Sequence, residues 1–380
     1  MAFTFTLFDN PNLLPESWDQ LASENIFLSR VYLEVLQLSA PENMECKYIF
    51  IFDDNKPIGI ALSQFLDVNR LESFGERDRC LRSTARKIIF KNFSSHVLFI
   101  GNNMLTGQNA FAFTPGIALF TVLPTLRLAV NAIKSDYAKR GKKIHLTTFK
   151  DFDEKDASDF TKAGFDDHLE FSTQPNMIFT IRPDWCAEED YIHSLSKKYR
   201  DQYKRARKKS EGIQKKKLNL EEIIQYENTI YDLYFHVAKN APFNTFFLSR
   251  NHFRTFKEKL KDKFLFYGYF LGDRLIGFNT LVKNGKSMDT YFLGYDETLQ
   301  REKMLYLNML YDMIAYSINK GFSEIVFGRT ALEIKSSVGA EPMKMYGFLQ
   351  HGNKLINKNM HWIFNYLEPV TTWQERNPFK

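Results

Sequence analysis

The chain has 380 residues, 44% hydrophobic and 25% charged, which excludes long disorder and favours two cores over one. Its net charge of +6 and pI near 8.9 admit an anionic partner without requiring one. Cys46, Cys80 and Cys186 are odd in number and far apart, which argues against a disulfide framework and for a reducing compartment.

The opening MAFTFTLFDNPNLLPESWDQL has no basic start and no unbroken apolar run, so it does not read as a signal peptide. No stretch approaches the roughly 18 apolar residues needed to cross a bilayer. A cytoplasmic protein is expected. FLSR at 27–30 leads into the first helical region, and KYIFIFDDNKPIGIALSQF at 47–65 reads as strand, polar turn, strand. Asp53-Asp54 is explained by that turn. The glycines of GNNMLTGQNAFAFTPGIALF, 101–120, have the wrong spacing for a P-loop, and Gln108 follows Gly107.

Residues 123–140 carry Leu126, Leu128, Ala129, Ala132, Ile133 and Tyr137 at helical spacing and stop at Gly141. The strand KIHLTTF (143–149) and a short helix closing with Lys162-Ala163-Gly164-Phe165 follow. A domain boundary is expected near residue 180, beside Pro183.

In the second half, SLSKKYRDQYKRARKKSEGI (194–213) places Leu195, Tyr199, Tyr203 and Ala206 on one helical face, as core. The other face carries Lys198, Arg205, Lys208 and Lys209. A solvated face explains such a charge run, and a phosphate-rich ligand would suit it too. FLSR then returns at 247–250, followed by KFLFYGYFLGDRLIGFNTLV at 263–282. The pairs Ile58-Gly59 and Ile276-Gly277 keep nearly the separation of the two FLSR copies. LYLNMLYDMIAYSIN (305–319) reads as a helix stopped by Gly321, and SEIVFGR (323–329) as a strand. Each half thus reads helix, hairpin, strand, helix, strand, helix, strand. The expectation is a mixed α/β fold built by internal duplication, with domains 1–180 and 181–380.

The stretch IVFGRTALEIKSSVGAEPMKMYGF, 325–348, carries the sharpest signal. Gly328 ends a strand and lets the backbone approach a ligand. Thr330 reads as the N-cap of a helix starting at Ala331, with Glu333 as capping-box partner. Arg329 and Lys335 then project toward one place, supplying positive charge where an acyl carbonyl becomes an oxyanion. The plain alternative is that both are solvated charges.

The duplicated order of elements, with the helix ending in KAGF, resembles the GCN5-related N-acetyltransferase (GNAT) fold in tandem. Phe327, Gly328, Arg329, Thr330, Lys335, Gly339, Ala340, Glu341 and Pro342 resemble the C-terminal motif of FemAB-like proteins, a tandem-GNAT group, and the basic helix after residue 194 is similar to the one that opens their second domain. The resemblance implies an N-acyltransferase with no tightly bound cofactor, acyl-CoA as donor and a small-molecule or lipid amine as acceptor. It makes Arg329 and Lys335 the catalytic candidates and Gly328, Thr330, Lys198 and Arg205 the substrate-binding ones. An aminoacyl-tRNA-dependent peptidyltransferase is the second reading, though the helical arm of the peptidoglycan-bridge enzymes is not evident. A lapsed GNAT-like binding protein for an anionic ligand is the third.

Ordinary acetyl-CoA domains carry Gln/Arg-x-x-Gly-x-Gly/Ala before the long helix, where backbone amides cradle pyrophosphate. DETLQREKMLYLN, 296–308, has no glycine. Eight scattered histidines, with no H-x-x-x-H or C-x-x-C pair, give no expectation of metal. No G-x-S-x-G elbow appears. No zinc-finger or RNP-type signature supports a stable nucleic-acid partner.

Overall fold

The computed structural model describes residues 3–70, 95–172, 174–241, 244–367 and 373–380. Cys80 lies outside them; Cys46 and Cys186 are free thiols. The chain forms two compact units. Unit 1 is Met1–Thr173, Phe243–Ser249 and Lys344–Thr371; unit 2 is Gln174–Pro242, Arg250–Met343 and Thr372–Lys380.

Unit 1 holds a sheet of β1 (Thr4–Phe8), β2 (Met44–Asp53), β3 (Lys56–Asp67), β4 (His96–Ile100), β6 (Leu146–Phe152), β15 (Tyr346–His351) and β7 (Leu169–Ser172), in that order. A short β5 (Phe111–Phe113) also pairs with β3. β3 is buried over nearly its whole length, as a strand covered on both faces must be, and its sequence is largely apolar, interrupted by the buried Ser63 and Gln64. The helix Leu119–Lys139 packs Val122, Leu126, Ala129, Ile133 and Tyr137 into a core with Leu98, Ile100 and Phe149.

Unit 2 repeats the plan: β14 (Glu341–Met343), β8 (Asn176–Thr180), β13 (Glu324–Gly328), β12 (Ser287–Tyr295), β11 (Arg274–Asn284), β10 (Phe264–Leu271) and β9 (Ile213–Lys217). Its core is built by the helix Leu305–Asn319, through Leu305, Met309, Leu310, Met313 and Ile314, with Tyr199 and Ala206 of the helix Lys197–Lys209.

The duplication extends to a bulge. In the first hairpin Ile51 pairs with Gly59 and Phe52 with Pro57, leaving Ile58 unpaired. In the second, Tyr269 pairs with Gly277 and Phe270 with Leu275, leaving Ile276 unpaired. The carbonyl of each skipped isoleucine accepts a backbone N–H at 2.8 Å, from Thr114 and from Asp296. The recurring Ile-Gly pair is therefore the sequence of a bulge used twice. Both FLSR copies run into the helix that precedes this hairpin, Arg30–Ser39 and His252–Leu260.

A single boundary near residue 180 does not describe the division. β8, expected to close the first domain, pairs with β13 in unit 2, and β15 pairs with β6 and β7 in unit 1. Each half of the chain gives its last strand to the other half's sheet, filling the gap between that sheet's fifth and sixth strands. The edge strand β9, IQKKK, was not expected either; its exposed lysines charge the edge and deter further pairing.

Candidate functional site

β12 and β13 pair in parallel only over Ser287–Asp289 and Glu324–Val326, although β12 runs on to Tyr295 and β13 to Gly328. The two strands part there, and Thr290 Oγ1 donates to the Val326 carbonyl, 3.1 Å away, at the fork. Parallel strands that separate leave unpaired backbone groups facing an opening, a ready place for an extended ligand.

β13 ends in a strained turn. Gly328, Thr330 and Ala331 have φ of 71°, 67° and 47°. Glycine is at ease there, but each L-residue costs about 1–2 kcal/mol, and a β-branched threonine is the least suited. The turn is held from inside by Lys335, only 4% exposed. Its Nζ donates to the carbonyl oxygens of Phe327 at 2.8 Å, Gly328 at 3.1 Å and Arg329 at 2.6 Å. Burial pushes the amine down to about 7, while three carbonyl acceptors, one for each ammonium N–H, favour the charged form.

Thr330 is not an N-cap. The helix runs Leu332–Ser336, its cap position is the left-handed Ala331, and no side chain caps it. The positive φ at Thr330 and Ala331 turns the chain before a threonine hydroxyl can reach back to the helix amides. Glu333 instead accepts from the Gln374 amide at 3.1 Å. Arg329 is half-buried; burial lowers its guanidinium to about 10, which leaves it cationic at neutral pH. Gly328, Arg329, Thr330 and Lys335 thus share one turn, with Lys335 committed to backbone.

Two buried acceptors missed in the sequence lie on the strands that flank β13. Met288, Ile325, Met177 and Phe179 face the core, so alternation puts Asp289, Val326, Ile178 and Asn176 on the other face of the sheet. Asp289 is buried beside Asn284 and Glu324, and burial raises it to about 7; its Oδ2 has no hydrogen-bond partner. Asn176 is equally buried and its Oδ1 is also unpartnered. A buried acceptor without a donor costs about 1–3 kcal/mol. Neither residue belongs to a sequence motif; only pairing register brings them to one face of the sheet, on either side of β13.

Lys198 and Arg205 are exposed and are not part of the turn. A partly buried cation of that helix is Arg207, one turn after Tyr203. It donates to Asp312 at 2.7 Å and Glu188 at 2.9 Å, while Tyr269 donates to Asp312 and Tyr203 to Glu188. The i, i+4 spacing of Tyr203 and Arg207 was the available signal.

The chain after β12 gives no pyrophosphate cradle. Residues Glu297–Lys303 form a helix capped by Asp296, and Met304 is left-handed. A cavity of about 800 Å³ beside it is lined by Asp232, Asp273, Asp296 and Glu297, against Arg274 and His236. Carboxylates there oppose a diphosphate, so the usual mode of holding CoA does not fit this loop.

In unit 1 the corresponding position is filled by its own chain. Lys150, next to the last β4–β6 pair, donates to the carbonyls of Asn102 and Leu105 in the loop between β4 and β5, both at 3.0 Å.

Residues 197–344 match the family model described as an acetyltransferase (GNAT) domain. Unit 2 thus holds a segment that matches a GNAT domain, and the chain as a whole is similar in fold to tandem GNAT structures. The solved structure of FemX is similar over 97% of this chain and 100% of its own, with 11% identity and a TM-score of 0.54. The tandem GNAT protein from the clavulanic acid biosynthesis pathway is similar over 93% of this chain and 99% of its own, at 9% identity and a TM-score of 0.51. A conserved protein of unknown function from Bacteroides thetaiotaomicron VPI-5482 covers 91% and 99%, at 10% identity and a TM-score of 0.51. No curated protein matches the chain. Among the described residues no helix is long and apolar enough to cross a membrane.

Proposed function

We propose that the protein transfers an acyl or aminoacyl group from an activated donor to an amine, with the chemistry in unit 2 at the fork of β12 and β13. The observation that carries this reading is the buried, half-partnered Asp289 on the strand paired with β13, whose strained turn presents Arg329. The amine nitrogen attacks the acyl carbonyl carbon, and a C–N bond forms as the carbonyl oxygen takes the electron pair. Arg329, cationic at neutral pH, offsets that charge. The Asp289 carboxylate accepts the amine proton, and the bond from the acyl carbon to its leaving group breaks as the carbonyl reforms. Lys335 is a positioning residue: it fixes the carbonyls of 327–329 and thereby the backbone that carries Arg329.

Acyl-CoA is the first donor class to test, because the matched domain is an acetyltransferase one. The acidic lining after β12 supports a donor held elsewhere, and the exposed Lys198, Arg205, Lys208 and Lys209 favour charged tRNA as the second. Native mass spectrometry of the purified chain against a panel of acyl-CoAs and aminoacyl-tRNA separates the two. A retained CoA thioester supports the first donor and retained tRNA the second; neither being retained would leave the lapsed binding protein as the better reading.

A further inference from the structure

The exchanged strand β8 brings a residue from the first half of the chain alongside β13, on the side away from β12. Met177 pairs with Gly328, so Asn176 stands next along β8, beside the position of Arg329. Its side chain shares a face with Asp289, since Ile178, Val326 and Asp289 form one row across β8, β13 and β12. Asn176 Oδ1 and Asp289 Oδ2 are both buried, and neither receives a hydrogen bond.

Both atoms are acceptors, so what satisfies them carries donors. They belong to strands two places apart and lie two residues apart along them, roughly 11–12 Å in all at the usual strand spacing and rise, too far for one nitrogen to reach both. We propose that the acceptor substrate is an elongated amine with two N–H-bearing groups: the nucleophilic amine at Asp289, and a second N–H group received by Asn176. This rests on unit 2 being the transferase site and narrows its acceptor to diamines or amino-amides. Asn176 is a specificity residue here. A neutral amide oxygen orients an N–H without titrating or competing for the proton that Asp289 takes. The exchange then has a consequence for function, because a chain cut at residue 180 would separate Asn176 from the site it serves.

The test uses the full chain with 1,5-diaminopentane and n-pentylamine as probes, their affinities measured by calorimetry. The wild type is expected to bind the diamine about tenfold more tightly than the monoamine, one charge-assisted or neutral hydrogen bond being worth that much. Asn176→Leu should erase the advantage of the diamine over the monoamine, and Asn176→Asp, which keeps an acceptor, should preserve it. Equal affinities in the wild type, or an advantage that survives Asn176→Leu, would overturn the inference alone. The underlying transferase reading fails separately, if n-pentylamine does not bind or if Asp289→Asn binds it as well as the wild type. If Asn176→Leu does not fold, loss of the diamine advantage in Asn176→Asp overturns the inference and its retention supports it.

Discussion

Lys335 meets Arg329 through the backbone: its Nζ lies 2.6 Å from the Arg329 carbonyl oxygen and also holds the carbonyls of Phe327 and Gly328. A lysine buried in this way ties down a turn and does not reach out to a substrate. Lys335→Met should therefore cost about 2–4 kcal/mol of stability in urea unfolding, because three carbonyls lose their donor at once. Activity should fall further than the residual folded fraction explains, since the Arg329 backbone is released.

Thr330 and Ala331 occupy left-handed backbone that glycine would adopt freely. Thr330→Gly should raise stability by about 0.5–1 kcal/mol, the relief of strain being partly offset by glycine's greater chain entropy when unfolded. If the strain aims Arg329, the stabilised variant turns over more slowly. Thermal unfolding and rate measured on one preparation check both halves.

Gly339 has a φ of 105°, and a Cβ there would lie 2.4 Å from the ring of Phe379. Gly339→Ala should destabilise unit 2 by about 2–3 kcal/mol through strain and overpacking. Adding Phe379→Ala should restore part of the loss, whereas backbone strain alone would leave the double variant no better.

Arg205 and Arg207 are two residues apart and differ in environment. Arg207→Ala breaks contacts to both Asp312 and Glu188 and should cost about 2–3 kcal/mol, less than a fully buried pair because the side chain is 28% exposed. The double change Lys198→Ala with Arg205→Ala should leave stability within about 0.5 kcal/mol. If those two cations hold a phosphate-bearing donor, that variant should lower the salt slope of donor binding by about two. Unchanged affinity at two ionic strengths would return them to the solvated face.

The repeat was legible because it is written in local chemistry. FLSR precedes a helix in both halves, and the Ile-Gly pair marks a bulge whose turn and apolar runs sit within a few residues of it. The exchange of β8 and β15 was not legible, because each strand reads the same whichever sheet it joins. Arg329 and Lys335 were singled out by their motif, but Lys335's inward direction depends on the left-handed turn at 330–331, which threonine and alanine conceal. Asp289 and Asn176 have no local signal, since their meaning comes from strands that pair across distant sequence.

The most direct test of the account is the pH dependence of N-acyl product formation by the wild type and Asp289→Asn, with whichever donor binds. Asp289 is raised to about 7 by burial, so its carboxylate forms as the pH rises through that value. The wild-type kcat/KM should climb about tenfold per pH unit below 7 and level off above it. The raised pKa works in the opposite sense on stability: its contribution is full below the ordinary value of 3.8 and lost as the pH rises through about 7. Asp289→Asn should lack both dependences and transfer at least about a hundredfold more slowly at pH 8. A variant that keeps the wild-type rate and the same pH profile would contradict the assignment of the chemistry to this fork.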